Sequence, residues 1–311
     1  MNDSNTTPKV LVLCGPTAVG KTATAIAVAR AIGGEIINAD SVQVYRHMDI
    51  GAAKPTPEER RAVVHHMIDI LDPDEPFDAN RFAEMAHGII ADLHGRGIPP
   101  IVSGGTGFYI KALCQGLFQS DPVDPFIRDG LKREAEEKGL EALYRRLSQV
   151  DPETAGILHP HDRYRILRAL EVHEVTGIPI SRYRESHGFS SKPYEVLKVG
   201  LELERDLLYE RIHQRVEAML AEGLEQEVGR LLEKGYSRGL KSMQTIGYRH
   251  MAAWLEGEIS REEMVDTLKR DTRRYAKRQL TWFRKESGVI WINVRDTEGI
   301  LNRVRAFGLF Q

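Results

Sequence analysis

Gly15-Pro16-Thr17-Ala18-Val19-Gly20-Lys21-Thr22 sets two glycines, a lysine and a hydroxyl in the spacing GxxxxGK[ST]. An apolar run, Val10-Leu11-Val12-Leu13, precedes it, and a helix-like run from Ala23 to Ile32 follows. Strand, glycine-rich loop and helix form the setting in which this pattern binds phosphate. Gly15 and Gly20 let the backbone turn so that several N–H groups point into one concavity. The helix adds its free N-terminal N–H groups and the positive end of its dipole. Lys21 brings a full charge, and the Thr22 hydroxyl is placed to reach a phosphate-bound Mg²⁺. The chain binds a polyphosphate, and the motif alone does not say which.

Asp40 follows the second strand candidate, Glu35 to Asn38, within Asn38-Ala39-Asp40-Ser41-Val42-Gln43-Val44-Tyr45. At the C-terminal end of a strand it shares a sheet edge with the phosphate loop. It is either a metal ligand or general base there, or a cap for the turn. Ser103-Gly104-Gly105-Thr106-Gly107-Phe108-Tyr109 is a second glycine-rich turn. It serves either a close backbone approach, to a ligand or to the first loop, or simply a tight turn. Arg211 and Arg215 are four apart in a helical pattern, so both can fork onto a diphosphate. The alternative is a solvated face with Glu210 and Glu217, the ordinary state of helical arginines.

Between Asp266 and Lys285 eight basic residues face two acidic ones, a local charge of +6 in a chain whose net charge is −2. Arg270, Arg274, Lys277 and Arg278 fall at helical spacing, with Tyr275, Trp282 and Phe283 nearby. Such a stripe reads as a footprint for a nucleic-acid backbone, against the alternative of a solvated helix face. Arg163-Tyr164-Arg165-Ile166-Leu167-Arg168 adds further positive charge.

These residues need a scaffold. About the first 115 residues alternate strand-like runs (Val10–Cys14, Glu35–Asn38, His66–Ile70, Pro100–Ser103) with helical ones (Lys21–Ile32, Ala79–Gly95). That alternation predicts an α/β fold with a parallel sheet flanked by helices, of the P-loop NTPase kind. From Asp121 the chain turns charged and helical, entered at Pro122 and Pro125 and left through Arg184–Pro193. We read residues 121–194 as a small helical insertion in a core made of 1–120 and 195–311. Glu195–Leu201 reads as a strand, Arg205–Lys234 and Arg261–Lys285 as long amphipathic helical patterns, and Val289–Val294 as a last strand. With 311 residues, 41% of them hydrophobic, one or two domains are expected. No apolar run reaches the roughly 18 residues of a membrane span, and Met1–Pro8 lacks a signal-peptide pattern. Cys14 and Cys114 are too few for a disulfide framework or a zinc site. Cys14 is expected to be a small core residue, and the compartment to be a reducing cytoplasm.

Taken together, the phosphate loop, Asp40–Tyr45, Met48–Pro55, His65–Asp69, Gly104–Tyr109, Arg165–Val172, Gly247–His250 and Lys277–Arg284 resemble the tRNA dimethylallyltransferase family, also called isopentenyl-diphosphate:tRNA transferases. The likeness runs in order from about residue 9 to 294. Ala52 stands where the family usually has Thr, and Val42 lies in a variable position. The chain ends at Gln311 without the Cys/His extension of eukaryotic relatives, so the resemblance is to the compact bacterial form.

The resemblance implies transfer of a dimethylallyl group from its diphosphate to N6 of adenosine 37 in tRNA. The phosphate loop, Gly15 to Thr22, then holds dimethylallyl diphosphate with Arg211 and Arg215, and Thr22 holds Mg²⁺. It makes Asp40, Thr17 and Arg215 the catalytic residues. It also implies contacts with the tRNA anticodon stem-loop from Asp40, Ser41, Val42 and Gln43; from Tyr164, Arg165, Ile166, Leu167 and Arg168; and from Thr245, Ile246, Gly247, Tyr248, Arg249 and His250. A further set is Lys277, Arg278, Gln279, Leu280, Thr281, Trp282, Phe283 and Arg284. A monomer is expected on the same ground. An ATP-dependent small-molecule kinase would explain the first motif equally well but not the basic stripe. A nucleotide-dependent RNA-binding switch would explain the stripe but not the placing of Asp40.

Overall fold

Val10, Leu11, Val12 and Leu13 are fully buried without alternation, as befits a strand covered on both faces. In the computed structural model, which describes residues 7–117, 125–187 and 192–309, this run is β1 (Lys9–Cys14). The other strands are β2 (Glu35–Ala39), β3 (His65–His66), β4 (Pro100–Gly104), β5 (Glu195–Glu202) and β6 (Val289–Asn293). They form one sheet in the order β3-β2-β4-β1-β5-β6. All pairings are parallel, with Leu11 opposite both Ile101 and Leu197. Parallel neighbours require crossovers, and helices Lys21–Ile32 and Ala79–Gly95 supply two of them. Ala25, Val28 and Ala29 of the first pack with Leu11, Leu13, Ile101, Val199 and Leu201 in the core. Because the strands run the same way, the turns after β1, β2 and β4 open on one edge of the sheet. The phosphate loop, Asp40 and the second glycine-rich turn are those three turns.

The chain divides into two compact units, Met1–Cys114 with Lys192–Gln311, and Gln115–Ser191. The second holds the described helices Pro125–Lys138, Leu140–Val150, Pro152–Ile157, Arg163–Thr176 and Ile180–His187. Its core is built on Leu131, Leu143, Leu147, Ile166 and Leu170. Buried Asp151 ties two of its helix starts, accepting from the Thr154 and Ser181 N–H groups. The expected entry at Pro122, and residues 188–191 of the expected exit, lie outside the described residues.

Two elements differ from expectation. The strand read as His66–Ile70 is only His65–His66, because Met67 (φ 65°) and Asp69 (φ 57°) leave the extended region. An ion-pair knot takes its place: the Lys54 ammonium lies 2.5 Å from Asp69 and 2.6 Å from Asp49. The long pattern from Arg205 to Lys234 is two helices, Arg205–Ala221 and Leu224–Glu233, separated at Gly223 (φ 101°). Cys14 and Cys114 are buried and unbridged, and burial pushes the Cys14 thiol up to about 12. No helix among the described residues is long and apolar enough to cross a membrane.

Candidate active site

The phosphate loop bends through positive φ at Gly15 (152°), Ala18 (64°) and Gly20 (115°). A Cβ on Gly15 would stand 2.8 Å from the Leu201 carbonyl of β5, so only glycine fits there. Lys21 folds over its own loop, donating to the Gly15 carbonyl at 3.0 Å and the Pro16 carbonyl at 2.8 Å. Burial lowers its pKa to about 8; Arg215 repels the charge as well, while Asp40 works the other way. Arg215 donates to the Thr17 hydroxyl at 3.4 Å, and Arg211 to the Val19 carbonyl at 2.9 Å. Both arginines thus face the loop, and the solvated-face reading does not hold for them.

Asp40 accepts from the Val42 N–H at 2.8 Å and the Gln43 N–H at 3.3 Å, both on Oδ1. It therefore shapes the turn after β2, while Oδ2 has no hydrogen-bond partner among the described residues. Thr17, Asp40 and Arg215 line one cavity of about 280 Å³. Val42, Val216, Met219, Ile246 and Leu268 give it apolar walls, and Arg249, Tyr275 and Arg278 complete its polar side. Burial, and next the Asp40 charge, push the Tyr275 phenol well above its usual range.

The wall formed by residues 49–53 hangs on a carboxylate that sequence reading missed. Glu227 is buried, and it accepts from the N–H groups of Asp49 (2.9 Å), Ile50 (2.8 Å) and Gly51 (3.0 Å) and from the Tyr248 hydroxyl (2.7 Å). Gly51 lies against the Tyr248 ring, where a Cβ would come within 2.6 Å. Gln43 closes the wall, donating to the Ala52 and Ala53 carbonyls.

The second glycine-rich turn makes its close approaches within the protein. A Cβ on Gly104 would meet the Ala39 carbonyl at 2.1 Å, one on Gly105 the Gln279 amide at 2.2 Å, and one on Gly107 the Trp282 ring at 2.2 Å. Gln279 and Trp282 belong to the long basic helix Arg261–Lys285. Gln279 accepts from the Thr17 N–H at 2.8 Å and donates to the Gly105 carbonyl at 2.9 Å.

This geometry corrects part of the expected tRNA surface. Ile166, Tyr248, His250, Gln279 and Phe283 are interior residues, and Leu280 packs against the main core. They hold elements together rather than offering a face to RNA. His250, for example, lies on Asp271, which also binds Arg249 at 2.7 Å. Although burial opposes it, hydrogen bonds from Arg249, Arg270 and His250 draw the Asp271 pKa down to about 2. Thr245, Ile246 and Gly247 line the cavity. Arg270, Arg274, Lys277, Arg278, Thr281 and Arg284 are exposed on one helix, and Tyr164 and Arg165 are exposed in the second unit; Ser41, Val42, Leu167, Arg168 and Trp282 are half-buried.

Thr17 of the loop borders a partly apolar chamber, an arrangement that suits the transfer of an organic group from a phosphorylated donor, on a scaffold of the P-loop type. Comparison with known proteins narrows the class. A family model described as IPP transferase matches residues 43–286, and one described as isopentenyl transferase matches residues 8–69. The tRNA dimethylallyltransferase of Desulfosudis oleivorans is 55% identical over 291 residues, 94% of this chain and 93% of that protein. The tRNA dimethylallyltransferase of Geobacter metallireducens is 51% identical over 300 residues, 96% and 97% of the two chains. The full-length tRNA isopentenylpyrophosphate transferase of Bacillus halodurans superposes with a TM-score of 0.73 at 40% identity, covering 97% of each chain. A eukaryotic dimethylallyltransferase acting on tRNA gives a TM-score of 0.80 at 29% identity, over 97% of this chain and 78% of the other. The chain belongs to the tRNA dimethylallyltransferase family.

Proposed function

We propose that the protein transfers the dimethylallyl group of dimethylallyl diphosphate to N6 of adenosine 37 in tRNA. The observation that carries this reading is the single cavity shared by the phosphate loop (Thr17), Asp40 and the basic helix (Arg278). The loop N–H groups, Lys21 and Arg215 hold the diphosphate, and Arg211 keeps the loop in shape through the Val19 carbonyl. As the allylic C–O bond breaks, negative charge builds on the departing diphosphate, and these fixed donors stabilise it without having to reorganise. The N6 nitrogen forms the new C–N bond, and its proton passes to Asp40 Oδ2. Oδ1, held by two backbone N–H groups, fixes the carboxylate for that step. The Thr17 hydroxyl, met by Arg215, orients the reacting groups. Adenosine 37 must leave its stack to enter, and Arg274, Lys277, Arg278 and Arg284 grip phosphates of the anticodon stem-loop, positioning more than specifying.

We propose Mg²⁺ as an ion shared with the donor beside Thr22, which lines a second cavity with Arg215, Asp49 and Asp69 and not the one that holds Asp40. The described residues contain no cluster of three or more His, Cys, Asp or Glu side chains, so the Thr22 hydroxyl would be joined by diphosphate oxygens and water, the hard ligands Mg²⁺ prefers. When bound, it neutralises part of the diphosphate charge. We place the protein in the cytoplasm, where thiols such as its two buried cysteines stay reduced, and take it to be a monomer by likeness to the family. Labelled dimethylallyl diphosphate and labelled ATP, each incubated with unmodified tRNA, test the reading. Label from the prenyl donor at position 37 is expected. Label transferred from ATP, or none from either, overturns it.

A further inference from the structure

Gln279 sits in the motif Lys277–Arg284, yet it points away from solvent, only 6% exposed. Its amide reaches two different loops: Oε1 takes the Thr17 N–H at 2.8 Å, and Nε2 gives a proton to the Gly105 carbonyl at 2.9 Å. Thr17 is thereby held at two points, by Gln279 on its backbone and by Arg215 on its hydroxyl. The Thr17 N–H is taken up by the helix, just ahead of the left-handed turn at Ala18 (φ 64°). Space for the amide exists only because residue 105 has no side chain. The same helix leaves Arg274, Lys277 and Arg278 exposed, Arg278 also at the wall of the cavity.

We propose that Gln279 is a positioning residue for the donor site, clamping the Thr17 corner of the phosphate loop to the Gly105 turn from the buried side of the helix that carries the basic stripe. This rests on the reading of the loop as a diphosphate site. One helix then serves both substrates: its outer face meets RNA, and its inner face sets the loop that holds the diphosphate. Misplacing reacting groups by about 1 Å costs on the order of 10²-fold in rate, so a single amide at this position can control turnover without touching either substrate.

The test uses three variants of the full chain: Gln279→Met, Gln279→Glu and Gly105→Ala. Methionine keeps the volume and removes both hydrogen bonds. Glutamate keeps the acceptor for Thr17 and removes the donor for Gly105. Alanine at 105 pushes the amide off its seat from the opposite side. Expected results for Gln279→Met are a melting temperature within a few degrees of the parent, unchanged affinity for an unmodified anticodon stem-loop, turnover at saturating substrates down by about 10- to 100-fold, and weaker binding of inorganic diphosphate by calorimetry. Gly105→Ala should behave alike, and Gln279→Met/Gly105→Ala should be no worse than the poorer single variant, since both break one clamp. Parent-like turnover and diphosphate affinity in Gln279→Met overturn the proposal. So does stem-loop affinity falling in step with turnover, which would make Gln279 an RNA contact. Should methionine fail to fold, the diphosphate affinities of Gln279→Glu and Gly105→Ala decide, and parent-like values in both overturn it. Diphosphate binding is read without RNA or a prenyl group, so it tests the clamp even if the proposed transfer reaction fails.

Discussion

Raising the pH from 7 to 9 should strip the proton from Lys21 in the free protein, because burial and the Arg215 charge have lowered its pKa to about 8. A bound diphosphate restores a counter-charge, so the complex keeps the proton and binding above pH 8 must take one up. With the pKa at about 8, the protonated share at pH 9 is about one in eleven, and affinity for dimethylallyl diphosphate should fall about tenfold between pH 7 and 9. Calorimetry in two buffers of different ionisation enthalpy should show about 0.9 proton taken up per site at pH 9 and about 0.1 at pH 7. Lys21→Met should bind weakly at every pH and lose the slope. The sign for stability is opposite: the unfolded chain keeps this proton up to its ordinary 10.5, so the unliganded fold gains stability as the pH rises from 8 toward 10.5. A dissociation constant that stays flat from pH 7 to 9, with no proton uptake, would refute the placing of Lys21 as a desolvated cation waiting for the donor.

Three further outcomes follow from named contacts. Asp40→Asn keeps an oxygen for the Val42 and Gln43 N–H groups, so it should fold and bind both substrates while single-turnover transfer slows at least ~10²-fold; rates near the parent would leave Asp40 a turn-former only. Arg274→Ala with Arg278→Ala should weaken stem-loop binding and lower the slope of log affinity against log salt by up to about two contacts' worth, and an unmoved slope would return the stripe to an ordinary solvated face. Glu227→Gln turns an amide N–H₂ toward groups that are themselves donors, so the melting temperature should drop by an amount matching about 1–3 kcal/mol, and limited proteolysis should find the segment around Asp49–Gly51 first; an unchanged melt would mean another group takes over those N–H bonds.

The parts of this site set by local chain chemistry could be read from the sequence. The phosphate loop and its helix are one contiguous motif, and helices Lys21–Ile32, Ala79–Gly95 and Arg261–Lys285 match their expected bounds. The turn role of Asp40 was visible as one of two alternatives, and the structure shows that it leaves the second oxygen available. What depended on distant partners was not legible. Nothing in the residues near Glu227 indicates that it will collect three N–H groups about 180 positions away. The motif Lys277–Arg284 reads as one basic segment, yet helical geometry turns Lys277, Arg278 and Arg284 outward and Gln279 and Phe283 inward. A shared motif does not assign its members a shared face. The strand read at His66–Ile70 failed because Met67 and Asp69 take left-handed backbone angles that their residue types do not announce.

The sheet order also bears on how the protein comes to exist on the ribosome. β1 is made about 180 residues ahead of its neighbour β5, which begins at Glu195, and the side chains that brace the phosphate loop, Arg211, Arg215 and Gln279, come later still. Until β5 emerges, the nascent chain carries a phosphate-type loop with one flank of its central strand unpaired. Such long-separation pairing is slow to form and exposes apolar strand edges in the interval. An interrupted translation product would therefore have the motif without the clamp. It would be a target for chaperones and proteases, not a partial enzyme able to sequester prenyl donor.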